Sequence, residues 1–126
     1  MRMNHINLPV SNLSASRAFL ETYFGLRYVG GSDSETIVVL MDESDSIVTL
    51  SNFNHADAVT YPGAFHIGFL QPSNAEVDAV NKRLIADGHV AGEPKELHGS
   101  YTFYIKAPGG FTIEVLGPMP GLGAKK

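Results

Sequence analysis

The chain has 126 residues, 44% apolar and 17% charged, which fits an ordinary folded protein of single-domain size and excludes a disordered or fibrous one. Nine Lys and Arg against thirteen Asp and Glu give a net charge of −4 without any basic run, which argues against nucleic acid as a partner. The absence of cysteine excludes a disulfide framework, a thiolate nucleophile and a thiolate metal ligand, so any metal must be held by imidazole and oxygen.

The opening Met1-Arg2-Met3-Asn4-His5 lacks the apolar run of a secretory signal, and no later segment approaches the roughly 18 consecutive apolar residues of a membrane span. A cytoplasmic protein without membrane contact is expected. From Met3 to Val10, Ile6, Leu8 and Val10 alternate with His5 and Asn7, the pattern of a half-buried strand. Ser11 is a candidate cap for a helix from about Asn12 to Phe24, where Phe19, Leu20, Tyr23 and Phe24 recur at helical spacing before the terminator Gly25. Strand patterns follow at Arg27 to Val29, Thr36 to Met41 and Ser46 to Ser51, and Asn52 to Pro62 is polar and aperiodic, hence a connection.

Gly63 to Leu70 alternates again, with Phe65, Ile67 and Phe69 opposite His66 and Gly68, so His66 repeats the placement of His5. Ser73 and Glu76 form a capping-box signature ahead of a stripe of Val77, Val80 and Leu84 that ends before Gly88. Strands are expected at Gly92 to Leu97, at Tyr101 to Lys106 and, after the turn Pro108-Gly109-Gly110, at Phe111 to Leu116. Placing His5 on His66 needs an offset of 61, Gly25 on Gly88 one of 63 and Thr36 on Thr102 one of 66, the small drifts that loop insertions leave in a diverged tandem repeat. The expected fold is therefore α+β: two tandem β-α-β-β-β modules, about 1–53 and 63–117, in one domain with a curved, mostly antiparallel sheet and a flexible tail at 118–126.

His5, His66 and Glu114 each have apolar strand neighbours pointing the other way, so all three face away from the core. On the concave side of a curved sheet, two imidazoles and a carboxylate could share one divalent ion, iron, zinc, manganese or nickel. Three protein ligands leave positions open for water or substrate, the condition for Lewis-acid chemistry on oxygen. An outward, solvated Glu is the simpler reading of Glu114 alone, and an isolated strand histidine is more often structural.

The two modules, the His on the first strand of each, and the run Tyr-Ile-Lys-Ala-Pro-Gly-Gly-Phe-Thr-Ile-Glu from Tyr104 to Glu114 resemble the vicinal oxygen chelate superfamily of glyoxalases, fosfomycin-resistance proteins and extradiol dioxygenases. The resemblance implies His5, His66 and Glu114 as metal ligands. It also implies a homodimer in which His5 of one chain meets His66 and Glu114 of the other, and a small-molecule substrate chelated through two adjacent oxygens. Tyr104, ten residues before Glu114, matches a tyrosine of the extradiol dioxygenases and joins Glu114 as a candidate catalytic residue, with His98 a possible neighbouring acid or base.

Glyoxalase I is similar but has a fourth ligand, a Glu, where this chain carries Val48 or Thr49, and alternation favours Thr49. That departure weakens a methylglyoxal isomerase reading. Fosfomycin-type thiol transfer requires cations for a phosphonate, for which Lys95 and Lys106 are the candidates in the second half. A metal-free, drug-sequestering protein of the bleomycin-resistance type is the alternative from another class, and such members usually lack the three ligands.

Overall fold

The structure, a computed structural model, describes residues 1–32, 34 and 36–120; part of the expected tail, 121–126, lies outside the described residues. The elements run β1 (His5–Pro9), α1 (Leu13–Phe24), β2 (Arg27–Ser32), β3 (Ile37–Met41), β4 (Ile47–Ser51), β5 (Ile67–Leu70), α2 (Asn74–Ala86), β6 (Lys95–Leu97), β7 (Ser100–Lys106) and β8 (Thr112–Leu116). This is β-α-β-β-β twice over. Each module forms its own four-stranded sheet, ordered β1-β4-β3-β2 and β5-β8-β7-β6. In both, the first strand pairs in parallel with the last and the remaining pairings are antiparallel.

The chain divides into two compact units, one of Met1–Phe65 with Ala107–Phe111, the other of His66–Lys106 with the chain from Thr112 on. In the first, α1 packs against β3 and β4, and Leu8, Val10, Leu20, Val38, Leu40 and Leu50 are wholly buried. In the second, α2 packs against β7 and β8, over Val77, Leu84, Phe103, Ile105, Ile113 and Val115. Each such side chain contributes about 1.5–3 kcal/mol by leaving water. The helices thus cover one face of each sheet, and the alternation of strand side chains assigns the polar candidates to the other.

Local sequence explains the element ends. Asn12, not Ser11, caps α1: its Oδ1 accepts the Ala15 N–H at 2.9 Å, while the Ser11 hydroxyl faces the Gly109 carbonyl at 3.5 Å. A cap must reach the amide three residues on, and Asn12 is the residue in extended conformation at that distance from Ala15. Gly25 ends α1 in the left-handed region, at φ 68°. Ser73 caps α2, accepting the Glu76 N–H at 3.3 Å.

Several strands differ from their expected lengths, and β5 is one of them, starting at Ile67 instead of Gly63. β2 extends to Ser32 through an irregularity between Tyr28 and Gly30, which Gly31 permits because a Cβ there would stand 2.2 Å from the Ile37 carbonyl oxygen. β6 shrinks to Lys95–Leu97, since Pro94 offers no N–H to a ladder and Ala91 makes only an isolated bridge to Ile105. The Pro108-Gly109-Gly110 turn closes through Gly110 N–H to the Ala107 carbonyl at 3.0 Å. His98 and Gly99, at φ 53° and 85°, form the two-residue turn joining β6 to β7.

Candidate metal centre

Register builds the centre of the second sheet. Gly68 on β5 and Tyr104 on β7 are both partners of Glu114 on β8, so the three form one row across the strands. Two residues along β7 on one side stands Thr102, paired with Leu116 and Lys95; two residues on the other stands Lys106, paired with Thr112. A period of two keeps all of them on the face that α2 does not cover. Gly68 has no side chain, so the flank of Glu114 toward β5 is not filled by its own row. His66 immediately precedes β5 rather than lying within it, as the strand begins at Ile67, yet it keeps the parity of Gly68.

The Glu114 side chain is only 13% exposed. An ionised carboxylate that far from water needs partners, and it has three. Thr102 Oγ1 donates to Oε2 at 2.7 Å, and His66 Nε2 lies 3.3 Å from Oε1. The Tyr104 hydroxyl hydrogen-bonds to the same carboxylate, and its pKa is raised, first by burial, then by the Glu114 charge and that hydrogen bond. Tyr104 is therefore a neutral phenol and a donor at physiological pH. Its ring also meets His66 edge-on, with centroids 5.4 Å apart, which restrains the imidazole on one side while 37% of the His66 side chain stays exposed.

The spacing suits a shared ion. Two ligand atoms each about 2.1 Å from one divalent metal stand about 3.0–3.4 Å apart at octahedral or tetrahedral angles, and the 3.3 Å between His66 Nε2 and Glu114 Oε1 falls in that range. Imidazole nitrogen with carboxylate oxygen is a donor set suited to zinc, iron, manganese or nickel. Among the described residues, no group of three or more His, Cys, Asp or Glu side chains converges.

His5 opens β1 and is exposed, with Nδ1 3.0 Å from the Asn4 side-chain oxygen. The repeat register identifies what the first unit carries in place of the Glu114 row. Asn7 pairs with Thr49 and Thr49 with Val39, where the second unit has Gly68, Glu114 and Tyr104. Thr49, not Val48, is thus the counterpart of Glu114. The same register sets Ile37 on Thr102, at an offset of 65, in place of the expected match of Thr36 with Thr102. The Thr49 hydroxyl donates to Asn7 Oδ1 at 2.6 Å, and Asn7 Nδ2 donates to Ser51 Oγ at 3.0 Å.

Thr102 and Asn7 were absent from the sequence-derived candidates. Thr102 could have been found from its parity with Tyr104 on the same strand, whereas the role of Asn7 depends on a partner 42 positions away. A cavity of about 310 Å³ lies elsewhere, at the N-terminal end of α1 beside Ser11, Ser14, Asn52 and His55, and includes none of the candidate ligands. No described helix is long and apolar enough to cross a membrane.

Comparison with known proteins gives these features a context. The model of the Glyoxalase/Bleomycin resistance protein/Dioxygenase superfamily matches residues 2–115. A possible glyoxalase from Bacillus cereus is 45% identical, with 92% of this chain and 98% of that one covered and a TM-score of 0.83. Lactoylglutathione lyase from Agrobacterium tumefaciens shares the fold at 22% identity, 94% coverage of both chains and a TM-score of 0.75. So does a mutant of the fosfomycin resistance protein FosX from Listeria monocytogenes, solved with Mn(II) and 1S,2S-dihydroxypropylphosphonic acid, at 19% identity, 99% and 98% coverage and a TM-score of 0.78. No curated protein matches the chain.

Proposed function

Because the chain belongs to the Glyoxalase/Bleomycin resistance protein/Dioxygenase superfamily, a vicinal oxygen chelate group, we propose that it is a divalent-metal-dependent enzyme acting on a small substrate chelated through two adjacent oxygens. His5, His66 and Glu114 are the proposed ligands, with His5 supplied by the partner of a homodimer and the protein working in the cytoplasm, where a cysteine-free chain is at no disadvantage. The observation that carries the reading is the 3.3 Å approach of His66 Nε2 to Glu114 Oε1, at a carboxylate otherwise satisfied by Thr102 and Tyr104. A relative solved with Mn(II) supports a divalent ion in such a fold.

The ion, when bound, supplies Lewis-acid stabilisation of negative charge on substrate oxygen. His66 and Glu114 would supply one nitrogen and one oxygen of the donor set. Tyr104, kept neutral by burial and by Glu114, would turn its one phenolic proton from that carboxylate to a substrate oxygen that gains charge. Glu114 is the candidate carboxylate for moving a proton beside the chelated group, a role that would require it to leave the ion in part. Tyr104→Phe, assayed with the metal at saturation, should then lower turnover by about 10²-fold or more.

Lys95 and Lys106 favour one particular branch. Their register positions flank the Glu114 row on the same face, where two ammonium groups could engage an anionic substrate such as a phosphonate. Fosfomycin with a thiol and the methylglyoxal–glutathione adduct are therefore the first two substrates to assay, the adduct second because Thr49 stands where a fourth carboxylate would be needed.

Metal content tests the reading. Purified protein reconstituted with Mn(II), Zn(II), Fe(II) or Ni(II) should retain about one ion per chain after desalting, and Glu114→Ala should retain none. Wild-type protein that holds no ion after reconstitution would instead support the metal-free, drug-sequestering alternative.

A further inference from the structure

Thr102 is 1% exposed, and its single hydroxyl proton has two acceptors. Glu114 Oε2 lies at 2.7 Å and the Val115 carbonyl oxygen at 3.0 Å. The shorter contact is to the group that can carry charge, and its length is typical of a hydroxyl donating to a carboxylate. Oε2 is thereby held on the β7 side, while Oε1 is the oxygen nearest His66 Nε2. The two oxygens of one carboxylate are assigned different partners by the strand on which Thr102 sits.

The first unit offers an internal comparison. At the register position of Glu114 it has Thr49, and at that of Thr102 it has Ile37. Where the carboxylate is missing, so is the hydroxyl that would hold its second oxygen. A threonine needed only for strand packing would have no reason to be present or missing together with the acid.

We propose that Thr102 is a positioning residue that keeps Glu114 a one-oxygen metal ligand, by holding Oε2 so that only Oε1 turns toward the ion. The inference rests on the metal reading above. Without the Thr102 hydroxyl the carboxylate rotates about its last torsion, Oε2 becomes free to approach the ion, and a coordination position otherwise open to substrate is taken or the ligand is left poorly aimed. Outer partners of metal ligands commonly control affinity by about 10- to 100-fold.

The test uses full-length Thr102→Val and Thr102→Ser proteins titrated with Mn(II) by calorimetry, together with infrared difference spectra of the metal-loaded carboxylates. Thr102→Val, close in shape but without a donor, should narrow the separation between asymmetric and symmetric carboxylate stretches, the signature of a two-oxygen ligand, and should change the Mn(II) affinity by about 10-fold or more. Thr102→Ser, which keeps the hydroxyl, should restore both readouts. Wild-type affinity and an unchanged band separation in Thr102→Val would overturn the inference while leaving the metal site intact. If Thr102→Val does not fold, a folded Thr102→Ser that loses affinity overturns it as well. Failure of the wild-type protein itself to bind Mn(II), Zn(II), Fe(II) or Ni(II) would remove the metal reading, and this inference with it.

Discussion

Thr49 on β4 occupies the register position that Glu114 holds on β8, and the two residues solve the same local problem with opposite chemistry. Thr49 is nearly buried and is satisfied by a neutral bond to Asn7 Oδ1 at 2.6 Å. Glu114 brings a charge and needs Thr102, Tyr104 and His66 around it. Thr49→Val should therefore cost about 1 kcal/mol of stability, the net worth of one hydrogen bond, read as a lowered urea midpoint. Metal uptake should not change. A Thr49→Val protein with weakened metal binding would mean that the first unit's row still takes part in the site.

The turn at Pro108-Gly109-Gly110 makes a second, steric prediction. A Cβ on Gly109 would meet Ser16 Oγ at 2.2 Å and two Val10 carbons at 2.8 Å. Ser16 cannot swing aside freely, because its hydroxyl donates to the Asn12 carbonyl at 2.6 Å. Gly109→Ala should destabilise the protein by about 1–3 kcal/mol through overpacking. Gly63→Ala, with nothing within 4 Å of the added carbon, is the control and should change stability by about 0.5 kcal/mol at most. Equal urea midpoints for the two variants would contradict the close packing at Gly109.

How far the sequence led can be traced through these residues. The repeat, the capping of α2 by Ser73 and the preference for Thr49 over Val48 follow from short-range periodicity, which fixes which face a side chain takes. The cap at Asn12, the bulge that extends β2 and the start of β5 after His66 turn on single dihedral angles and single hydrogen bonds, which periodicity does not resolve. Thr102 escaped notice for another reason. Its face was legible from its parity with Tyr104, but its partner Glu114 is on the neighbouring strand, and only the pairing register brings the two within a hydrogen bond. The pairing of His66 with Glu114 was legible as a common orientation, but not as a distance.

Alkaline pH should reveal the tyrosine that anchors the connection between the modules. Tyr61 donates to the Pro9 carbonyl at 2.6 Å, and burial raises its pKa above the usual tyrosine value. A raised folded-state pKa favours the protonated form, so its contribution is complete below the unfolded value of about 10 and is lost as pH climbs through the folded value. Tyr101 shifts in the same direction, chiefly through its hydrogen bond to Asp78. Urea unfolding between about pH 9 and 11 should show wild-type stability falling with pH, and a Tyr61→Phe/Tyr101→Phe double variant falling less steeply. Parallel curves would show that neither hydroxyl couples folding to pH.

Sharing of the site between chains can be tested by mixing two dead variants. With the proposed ligands in a homodimer, His5→Ala and Glu114→Ala should each fail to hold metal, because every site would lack a ligand. If His5 of one chain completes the site of its partner, a mixed dimer places the intact His5 of the Glu114→Ala chain opposite the intact His66 and Glu114 of the His5→Ala chain. One complete site then forms in each mixed dimer, and the other lacks two ligands. Random exchange of subunits should restore about one ion for every four chains, measured by metal analysis after unfolding and refolding the variants together. A site built wholly within one chain predicts no recovery at any mixing ratio, since no chain in the mixture carries all three ligands. Recovery of metal on mixing, absent when either variant is refolded alone, is thus the result that a single-chain centre cannot produce.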